Sequence, residues 1–410
     1  MQNILRWFSV IYLQATSSIA FIPAVVALIF LLLSFLLIQF DFSDTGKAIK
    51  SNAHWLTLND ASTARSIISV ITGGVISLTV FSFSMVMIVL NQTASQMSNR
   101  ILEKLIGNRF QQIVLGFYIG TIVYALFLLS TIRDIDSGVY VPAISTYILI
   151  AISVIDIFLF IYFLHYVTQS VKYETIIHRI FESTRKSVER SCFLKRKPPH
   201  YVNGAEGLTI NADKSGIYQG FAQDALIAFC QKEDLLVSFF YPAGTLVLEN
   251  TPLLGIKNKD SLSNNLERDL RSLVNIHRGQ DINANYYYGL RQLMEVAVKA
   301  LSPGINDPGT AVLCLQALGD LLAFRLHNYP PHYLKDSEDV VRIITKERSF
   351  DEIFQECIYP IWDYGHKDRL VQKELLHILR QLQRQSEETV FNNLLGVVQK
   401  AIRAQETETL

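Results

Sequence analysis

Four long apolar stretches dominate the first 170 residues of the chain. They run at about 19–40, 66–90, 113–131 and 141–166. Because roughly 20 apolar helical residues cross the hydrocarbon core of a bilayer, each stretch predicts a transmembrane helix. The first stretch is longer than the apolar core of a secretory signal, which has about 7–15 residues. No small-residue cleavage site follows Phe40, so we expect this stretch to remain as a span.

Beyond residue 170 the pattern is that of a folded domain outside the membrane. Residues 1–170 form the predicted transmembrane domain, and 171–200 a basic juxtamembrane helix or linker ending at Pro198 and Pro199. Residues 201–260 predict a small β-rich module that includes a hairpin of 235–241 with 245–249. Residues 261–410 predict a helical domain, with one helix at 336–346. The predicted fold class is therefore a membrane α-helical protein with four spans and a C-terminal cytoplasmic α+β domain.

The basic residues around the spans predict the orientation of the chain. Nine Lys or Arg residues flank the spans on the side of both termini, and four flank them on the other side. Since basic flanks stay in the cytoplasm, both termini are expected there. The segment 171–200 contributes to this excess, and its apolar stripe allows two interpretations. It either lies on anionic lipid or only anchors the last span by its charge.

The cysteines and histidines predict no metal site. The four cysteines follow the last span without a C-x-x-C pair, which favours reduced, free thiols over zinc ligands. His327 and His332 are separated by Asn-Tyr-Pro-Pro and therefore do not form a helical pair of ligands.

Composition mainly excludes classes of function. Charged residues make up only 18% of the chain, and the formal net charge of zero argues against a nucleic-acid partner. No phosphate-binding loop, dinucleotide fingerprint, nucleophile elbow or H-E-x-x-H motif occurs. We therefore expect no enzyme and no cofactor.

Polar residues inside the spans are the candidate functional residues. Asp156 lies in the middle of the fourth stretch, where a carboxylate costs about 2.5–3.5 kcal/mol on insertion scales. It is expected to bind a cation or transfer a proton; the alternative is a protonated Asp bonded to a serine of the second span. Small and hydroxyl residues of that second span share one helical face. This face predicts an ion- or water-facing stripe, or else hydroxyls bonded to their own backbone in a closely packed helix.

The predicted ion path combines these features. It comprises Asp156, Ser77 and Ser84, with Asn91 and Gln92 at its cytoplasmic mouth. In the third span, Gly116 and Gly120 form a G-x-x-x-G motif, which lets helix backbones approach closely and favours an oligomer or a tight bundle.

The run ALSPGINDPGTA, residues 300–311, predicts an elbow between two helices of the cytoplasmic domain. Pro303 and Gly304 end the first helix, Asp307 caps the second, and Pro308 occupies its first position. Asp307 and Asn306 converge with Asp281 and Arg291 in a polar pocket under one hypothesis. Under the other, these side chains only cap and tie the elbow.

Two stretches resemble a known family. They are NQTASQMSNRILEKLIGNRFQQIVLGFYIGTIVYALFLLSTIR, residues 91–133, and LRQLMEVAVKALSPGINDPGTAVLCLQALGDLL, residues 290–322. Together they are similar to the bacterial predicted membrane protein family known as domain of unknown function 2254, over nearly the whole chain. This chain has Ser98-Asn99-Arg100 where that family usually shows Ser-Pro-Arg, which predicts a continuous helix in place of a turn. The resemblance implies a bacterial inner-membrane protein and brings no activity and no functional residues.

The leading hypothesis is a homo-oligomeric ion channel or transporter that contacts membrane lipids and carries a small ion. It rests on the hydroxyl-rich second span, on Asp156, and on a β module that could form a vestibule below the membrane. The alternative is a membrane-anchored sensor or scaffold whose cytoplasmic domain binds a ligand or partner at the elbow.

Overall fold

The computed structural model describes residues 20–52, 60–96, 109–135, 138–170, 172–199, 207–277, 279, 281–386 and 390–408. The chain forms two compact units, Met1–Lys172 and Tyr173–Leu410. We call them the membrane unit and the second unit. The triplet Ser98-Asn99-Arg100 lies outside the described residues, so the continuous helix expected there stays a prediction.

The membrane unit is a bundle of long helices. Its elements are α1 (Phe21–Phe42), α2 (Asp44–Asn52), α3 (Ala61–Gln96), α4 (Arg109–Thr131), β1 (Arg133–Ile135), β2 (Gly138–Tyr140) and α5 (Ala143–Ser170). The four predicted apolar stretches lie within α1, α3, α4 and α5, apart from a few terminal residues. The outer faces of α1 and α5 carry large apolar side chains such as Leu36 and Phe158, which suit a hydrocarbon solvent.

Two glycines let α1 and α4 approach closely. A Cβ on Gly116 would lie 3.1 Å from the Cβ of Val26, and a Cβ on Gly120 would lie 2.8 Å from the Phe30 ring. The ring of Phe30 also meets Phe117 edge to face, with centroids 5.5 Å apart. The G-x-x-x-G motif therefore serves packing within the bundle, one of the two roles expected of it.

A buried carboxylate ties three helices together at the other end of α1. Asp41 is fully buried and accepts hydrogen bonds from the backbone N–H of Ile144 at 3.2 Å and of Ser145 at 2.8 Å. The Ser145 hydroxyl donates at 2.7 Å, and Lys50 Nζ lies 3.1 Å away. The first turn of a helix has unpaired N–H groups and a positive dipole end, so Asp41 stabilises the beginning of α5. Tyr124 of α4 joins this network by donating to the Ser145 carbonyl at 2.9 Å.

The second unit combines two sheets with a helical layer. Its elements are α6 (Tyr173–Ser191), β3 (Leu208–Asn211), β4 (Gly216–Phe221), α7 (Gln223–Glu233), β5 (Val237–Phe239), β6 (Leu246–Val247), β7 (Pro252–Ile256), α8 (Asn264–Ser272), β8 (Val274–His277), α9 (Tyr286–Ala300), α10 (Pro308–His327), β9 (Tyr333–Lys335), β10 (Val341–Ile344), α11 (Phe350–Gly365), α12 (Arg369–Gln385) and α13 (Val390–Glu408). One sheet has the order β3-β7-β5-β10-β9 and the other the order β6-β4-β8. Helix α10 packs among α6, α9, α11 and α12.

Two sequence predictions for the second unit are wrong. The expected hairpin does not form, because β5 pairs with β7 and β10, whereas β6 pairs with β4. The helix expected at 336–346 is instead the strand β10, which runs parallel to β5. The first sheet therefore draws a strand from far beyond residue 260, and the β-rich segment and the helical segment belong to one unit.

The basic segment after α5 is also part of this unit. Its helix, α6, ends at Ser191, before the proline pair. Ile176, Ile177 and Ile180 are buried, and α6 packs on α9 and α10. Its apolar stripe is thus covered by the helices of the second unit.

Five described helices are long and apolar enough to cross a membrane: α1, α3, α4, α5 and also α10. In α10, 56% of the 18-residue apolar segment is buried within the second unit. In the other four helices the buried share of the corresponding segment is 17–44%. Length and composition alone therefore do not establish the count of four spans.

We expect Gly120→Ala to lower the thermal unfolding midpoint of the protein in detergent, because its Cβ would crowd the Phe30 ring at 2.8 Å. Overpacking of this kind costs about 1–3 kcal/mol. Gly74→Ala is the matched control, since a Cβ there meets no atom within 4 Å and alanine favours a helix by about 0.5–1 kcal/mol. Equal destabilisation of both variants would contradict the packing role of Gly120.

Candidate functional site

Asp156 lies near the middle of α5 and is fully buried inside the bundle. Among the described residues, neither of its carboxylate oxygens has a hydrogen-bond partner. Buried polar side chains in folded proteins are almost always paired, so an exception indicates a functional group, a bound ion or an ordered water. Asp41 shows the contrast within the same unit, because its carboxylate is fully engaged.

Three hydroxyl side chains accompany Asp156 in the bundle. Thr121 of α4 interacts with Asp156, but it donates its proton to the Phe117 carbonyl at 3.0 Å. Tyr118 of α4 lies within electrostatic range of Asp156 and beside Ser82 of α3. The hydroxyls of Tyr118 and Ser82 are buried, and the part of the chain that the structure describes supplies no hydrogen-bond partner for either. We call Ser82, Tyr118, Thr121 and Asp156 the inner polar cluster.

A cavity of about 130 Å³ adjoins this cluster. Its wall includes Ser82 and Tyr118 and continues to Gln112, near the beginning of α4. Most of the remaining wall is apolar, for example Val114 and Phe163. The cavity therefore extends from Ser82 and Tyr118 toward one end of the bundle, and Thr121 and Asp156 lie outside its wall.

The other residues of the predicted ion path lie elsewhere. Ser77, Ser84 and Asn91 are exposed on the outer face of α3, whereas Asp156 is enclosed. The Ser77 hydroxyl donates to the Gly73 carbonyl at 2.9 Å, as the alternative of own-backbone bonding expects. The side chain of Gln92 lies outside the described part of the chain. The structure thus does not bring these serines to Asp156.

Sequence reasoning missed the hydroxyls that do surround Asp156. Ser82 falls off the small-residue face of its helix, and this position is what turns it inward. Tyr118 and Thr121 are three residues apart in an otherwise apolar span. This spacing places both hydroxyls on one helical face, and it is the sequence signal that could have identified them.

The elbow is held by capping interactions. Asp307 accepts from the Thr310 N–H at 3.1 Å and from the Thr310 hydroxyl at 2.6 Å, and Pro308 begins α10. Pro303, Gly304 and Asn306 are exposed, and Asn306 adopts a φ of +50°. These contacts match the capping interpretation of Asp307.

The polar-pocket hypothesis also places Asp281 and Arg291 near the elbow. Asp281 accepts from the Asn283 N–H at 3.1 Å, and Arg291 pairs with Glu295 at 3.6 Å. Both contacts are local to their own segments and add no side chain to the elbow.

A second cavity, of about 400 Å³, lies entirely within the second unit. We call it the Glu347 pocket. Its wall includes Glu347, Lys346 and Arg190 together with the strand β4 at Gly220. Gly220 has a φ of +113° at a β-bulge, and a Cβ there would meet no atom within 4 Å. Such a bulge bends a strand and often lies beside a binding site.

A buried arginine stands behind this pocket. Arg325 donates to the Tyr286 hydroxyl at 3.2 Å and to the carbonyls of Asn328 at 3.1 Å and Arg348 at 3.3 Å. The hydrogen bonds that its guanidinium donates therefore go to neutral oxygen atoms. Burial raises the pKa of Glu347 to about 7, although Arg325 acts in the opposite direction. Glu347 thus changes charge near neutral pH, and no sequence pattern had indicated it.

Metal and thiol chemistry have little support in the described residues. No group of three His, Cys, Asp or Glu side chains there could hold a metal ion. The four cysteines are free and buried. Burial raises the pKa of the Cys192 thiol to about 11, so that thiol is not activated as a nucleophile.

The apolar helices and the second α/β unit define a membrane protein of mixed architecture. The chain belongs to the family described as Predicted membrane protein (DUF2254), whose model matches residues 16–381. Uncharacterized protein MT1328 of Mycobacterium tuberculosis (strain CDC 1551 / Oshkosh) and Uncharacterized protein Mb1321c of Mycobacterium bovis are each 26% identical over 341 residues. This match covers 77% of the chain but 63% of each relative, so the chain spans less than two thirds of their length. No solved structure matches the chain significantly.

We expect the stability of the protein to fall as pH rises from about 4.5 to about 7, because folding raises the pKa of Glu347 from 4.5 to about 7. In this window the unfolded chain has released the proton that the folded chain keeps, so ionisation opposes folding. The loss is about 3 kcal/mol at most. Thermal unfolding between pH 4.5 and 8 measures it.

Glu347→Gln should remove most of this pH dependence, and exposed Glu338→Gln should leave it unchanged. A wild type whose unfolding midpoint has the same pH profile as Glu347→Gln would show that Glu347 does not titrate in this window.

Proposed function

We propose that the protein is an ion channel or transporter of the bacterial inner membrane, in which Asp156 binds the ion. The observation that supports this most is the fully buried carboxyl with both oxygens unpartnered. A membrane-buried acidic residue is rare and is usually part of an ion or proton pathway. Because Asp156 is enclosed within a single bundle, this geometry favours a transporter with one site in each protomer over a shared central pore.

The proposed topology has four spans, α1, α3, α4 and α5, with both termini in the cytoplasm. The excess of basic residues on the terminal side supports this orientation. Helix α10 is assigned to the interior of the second unit, because its buried face packs on α6, α9 and α12. It also carries Asp320 and buried Arg325, which a lipid-facing span would not accommodate well.

The outer face of α3 supports a homo-oligomer. Ser69, Gly73 and Ser77 recur at every fourth position on this exposed face, and a Cβ on Gly73 meets no atom within 4 Å. The exposed faces of α1 and α5 carry mainly large apolar side chains, which suit contact with membrane lipids. Small residues four apart let two membrane helices pack closely, so we assign this face of α3 to a second copy of the chain.

Gly73→Leu should shift the protein in detergent from oligomer toward monomer, because a large side chain prevents close approach of two α3 helices. Ala151→Leu is the matched control, since Ala151 is a small exposed residue of α5. Mass photometry or light scattering measures the mass. A wild-type monomer, or an unchanged oligomer in Gly73→Leu, would rule out this interface.

Purified protein in liposomes should carry an ion, and Asp156→Asn should reduce the rate by about 100-fold or more, the usual contribution of a positioned transfer group. Fluxes of Na⁺, K⁺, H⁺ and Cl⁻ are measured separately. Asp44→Asn is the control, because Asp44 is an exposed carboxylate of the short helix α2. A folded wild type that carries none of these ions under voltage or membrane tension would contradict transport.

The Glu347 pocket favours a second candidate function, a membrane-anchored sensor. A cavity of about 400 Å³ falls within the range of small-molecule sites, and Glu347 supplies a group that titrates near neutral pH. Under this hypothesis, Asp156→Asn affects only folding. The ligand would then be sought at the Glu347 pocket rather than at the elbow, whose Asp307 is already engaged in capping.

A further inference from the structure

We infer that the ion bound at Asp156 is a proton, and that Tyr118 passes it between the adjoining cavity and the carboxyl. This inference rests on the proposed transport function and names its substrate. Its basis is the set of oxygen atoms in the inner polar cluster and their hydrogen bonds.

The inner polar cluster has too few oxygens for a metal ion. Calcium takes six to eight oxygen ligands, and magnesium requires an octahedral set. Sodium sites in transporters use backbone carbonyls freed where a helix is unwound. Helices α4 and α5 run without a break through Tyr118, Thr121 and Asp156, so their carbonyls are used in helical bonds. Even with the Thr121 hydroxyl, whose proton goes to the Phe117 carbonyl, the cluster offers two Asp156 oxygens and three hydroxyls, five oxygens in all.

A proton satisfies the same site without further ligands. A carboxylate that is fully buried and unpaired is costly in a low-dielectric interior, and binding a proton removes its charge. Lys50 pairs with the other buried carboxylate of this unit, Asp41. Among the described residues, the groups that act on Asp156 include no cationic side chain. Tyr118 is the titratable group that faces Asp156, and α3 contributes the neutral Ser82.

The two unpartnered hydroxyls provide a route to the cavity. Ser82 and Tyr118 both line it, and a water occupies about 30 Å³ in the liquid, so the volume of about 130 Å³ holds several. One water that bridges the two hydroxyls would satisfy both. Tyr118 then accepts a proton from this water, and the water takes up another from the aqueous end of the cavity. Because Tyr118 and Asp156 are not in direct hydrogen-bond contact, Tyr118 passes its own hydroxyl proton to the Asp156 carboxylate through a second water. One proton moves inward, the tyrosine is restored, and no electron is transferred.

The opposite end of the bundle is closed. Ile68, Leu128 and Leu149 are fully buried in one apolar cluster toward that end, and beyond it Asp41 is held by Lys50 and Ser145. The proton therefore reaches Asp156 from the side of the cavity. Release to the other side requires the apolar cluster to open, which is the behaviour of a carrier.

The test compares proton uptake with metal-ion flux in liposomes containing the full-length protein. A trapped pH-sensitive dye reports H⁺, and Na⁺ and K⁺ are measured in parallel. Wild type should carry H⁺ and no metal ion, Asp156→Asn should carry none, and Tyr118→Phe should be slowed by about tenfold or more. Tyr162→Phe is the matched control, because Tyr162 is exposed on α5 and its ring contact with Phe110 is kept in phenylalanine.

The possible failures are distinguishable. Asp156-dependent Na⁺ or K⁺ flux would keep the transport proposal and overturn the proton inference. Unimpaired H⁺ flux in Tyr118→Phe would overturn the role of Tyr118. Absence of every flux in folded protein would overturn transport, and with it this inference.

Infrared spectroscopy gives a readout that is independent of flux. Wild type at neutral pH should show the carbonyl stretch of a protonated, buried carboxylic acid, and Asp156→Asn should lack it. A thermal unfolding midpoint of wild type that rises with Na⁺, K⁺, Mg²⁺ or Ca²⁺, but not in Asp156→Asn, would instead show metal binding and overturn the proton inference.

Discussion

A carboxylate buried in a membrane bundle needs either hydrogen-bond donors or a proton. Among the described residues of the membrane unit, two carboxylates are buried, Asp41 and Asp156. Asp41 has the donors: two backbone N–H groups at the beginning of α5, the Ser145 hydroxyl and the Lys50 ammonium. This network joins α1, α2 and α5, and Tyr124 extends it to α4. In the described part of the chain, neither oxygen of Asp156 has a hydrogen-bond partner, although the Thr121 side chain lies close to it. Asp41 is therefore a structural residue whose carboxylate is fully hydrogen-bonded, whereas the Asp156 carboxyl remains available for chemistry.

Close packing decides which polar residues can share a site. Gly116 and Gly120 let α1 lie directly against α4, and the closed bundle encloses Ser82 and Asp156. The same packing leaves Ser77 and Ser84 on the outside of α3. The hydroxyl residues of one helix therefore separate into two sets: Ser82 lies beside Tyr118 in the inner polar cluster, and the outer set is exposed.

The second unit shows how capping and burial divide its polar residues. Asp307 is occupied at the beginning of α10, so the most distinctive sequence motif of the second unit stabilises a helix junction. Glu347, in an unremarkable loop after β10, instead lies in a cavity where burial raises its pKa to about 7. Such a group couples the charge of the pocket to pH near neutrality. A conspicuous sequence motif is thus explained by local structure, while the titratable pocket arises from long-range packing.

Local spacing and composition were sufficient to predict the apolar helices to within a few residues, the cap of α10 and the glycine pair. They did not determine the strand β10, since residues 341–344 become a strand only by pairing with residues about a hundred positions earlier. Helical periodicity showed which residues of α3 share a face, but not which face turns toward Asp156. Tertiary structure alone decided that, because the partners of a helix face are set by packing against elements distant in sequence. The same reason explains why Ser82, Tyr118 and Glu347 emerged only from the fold.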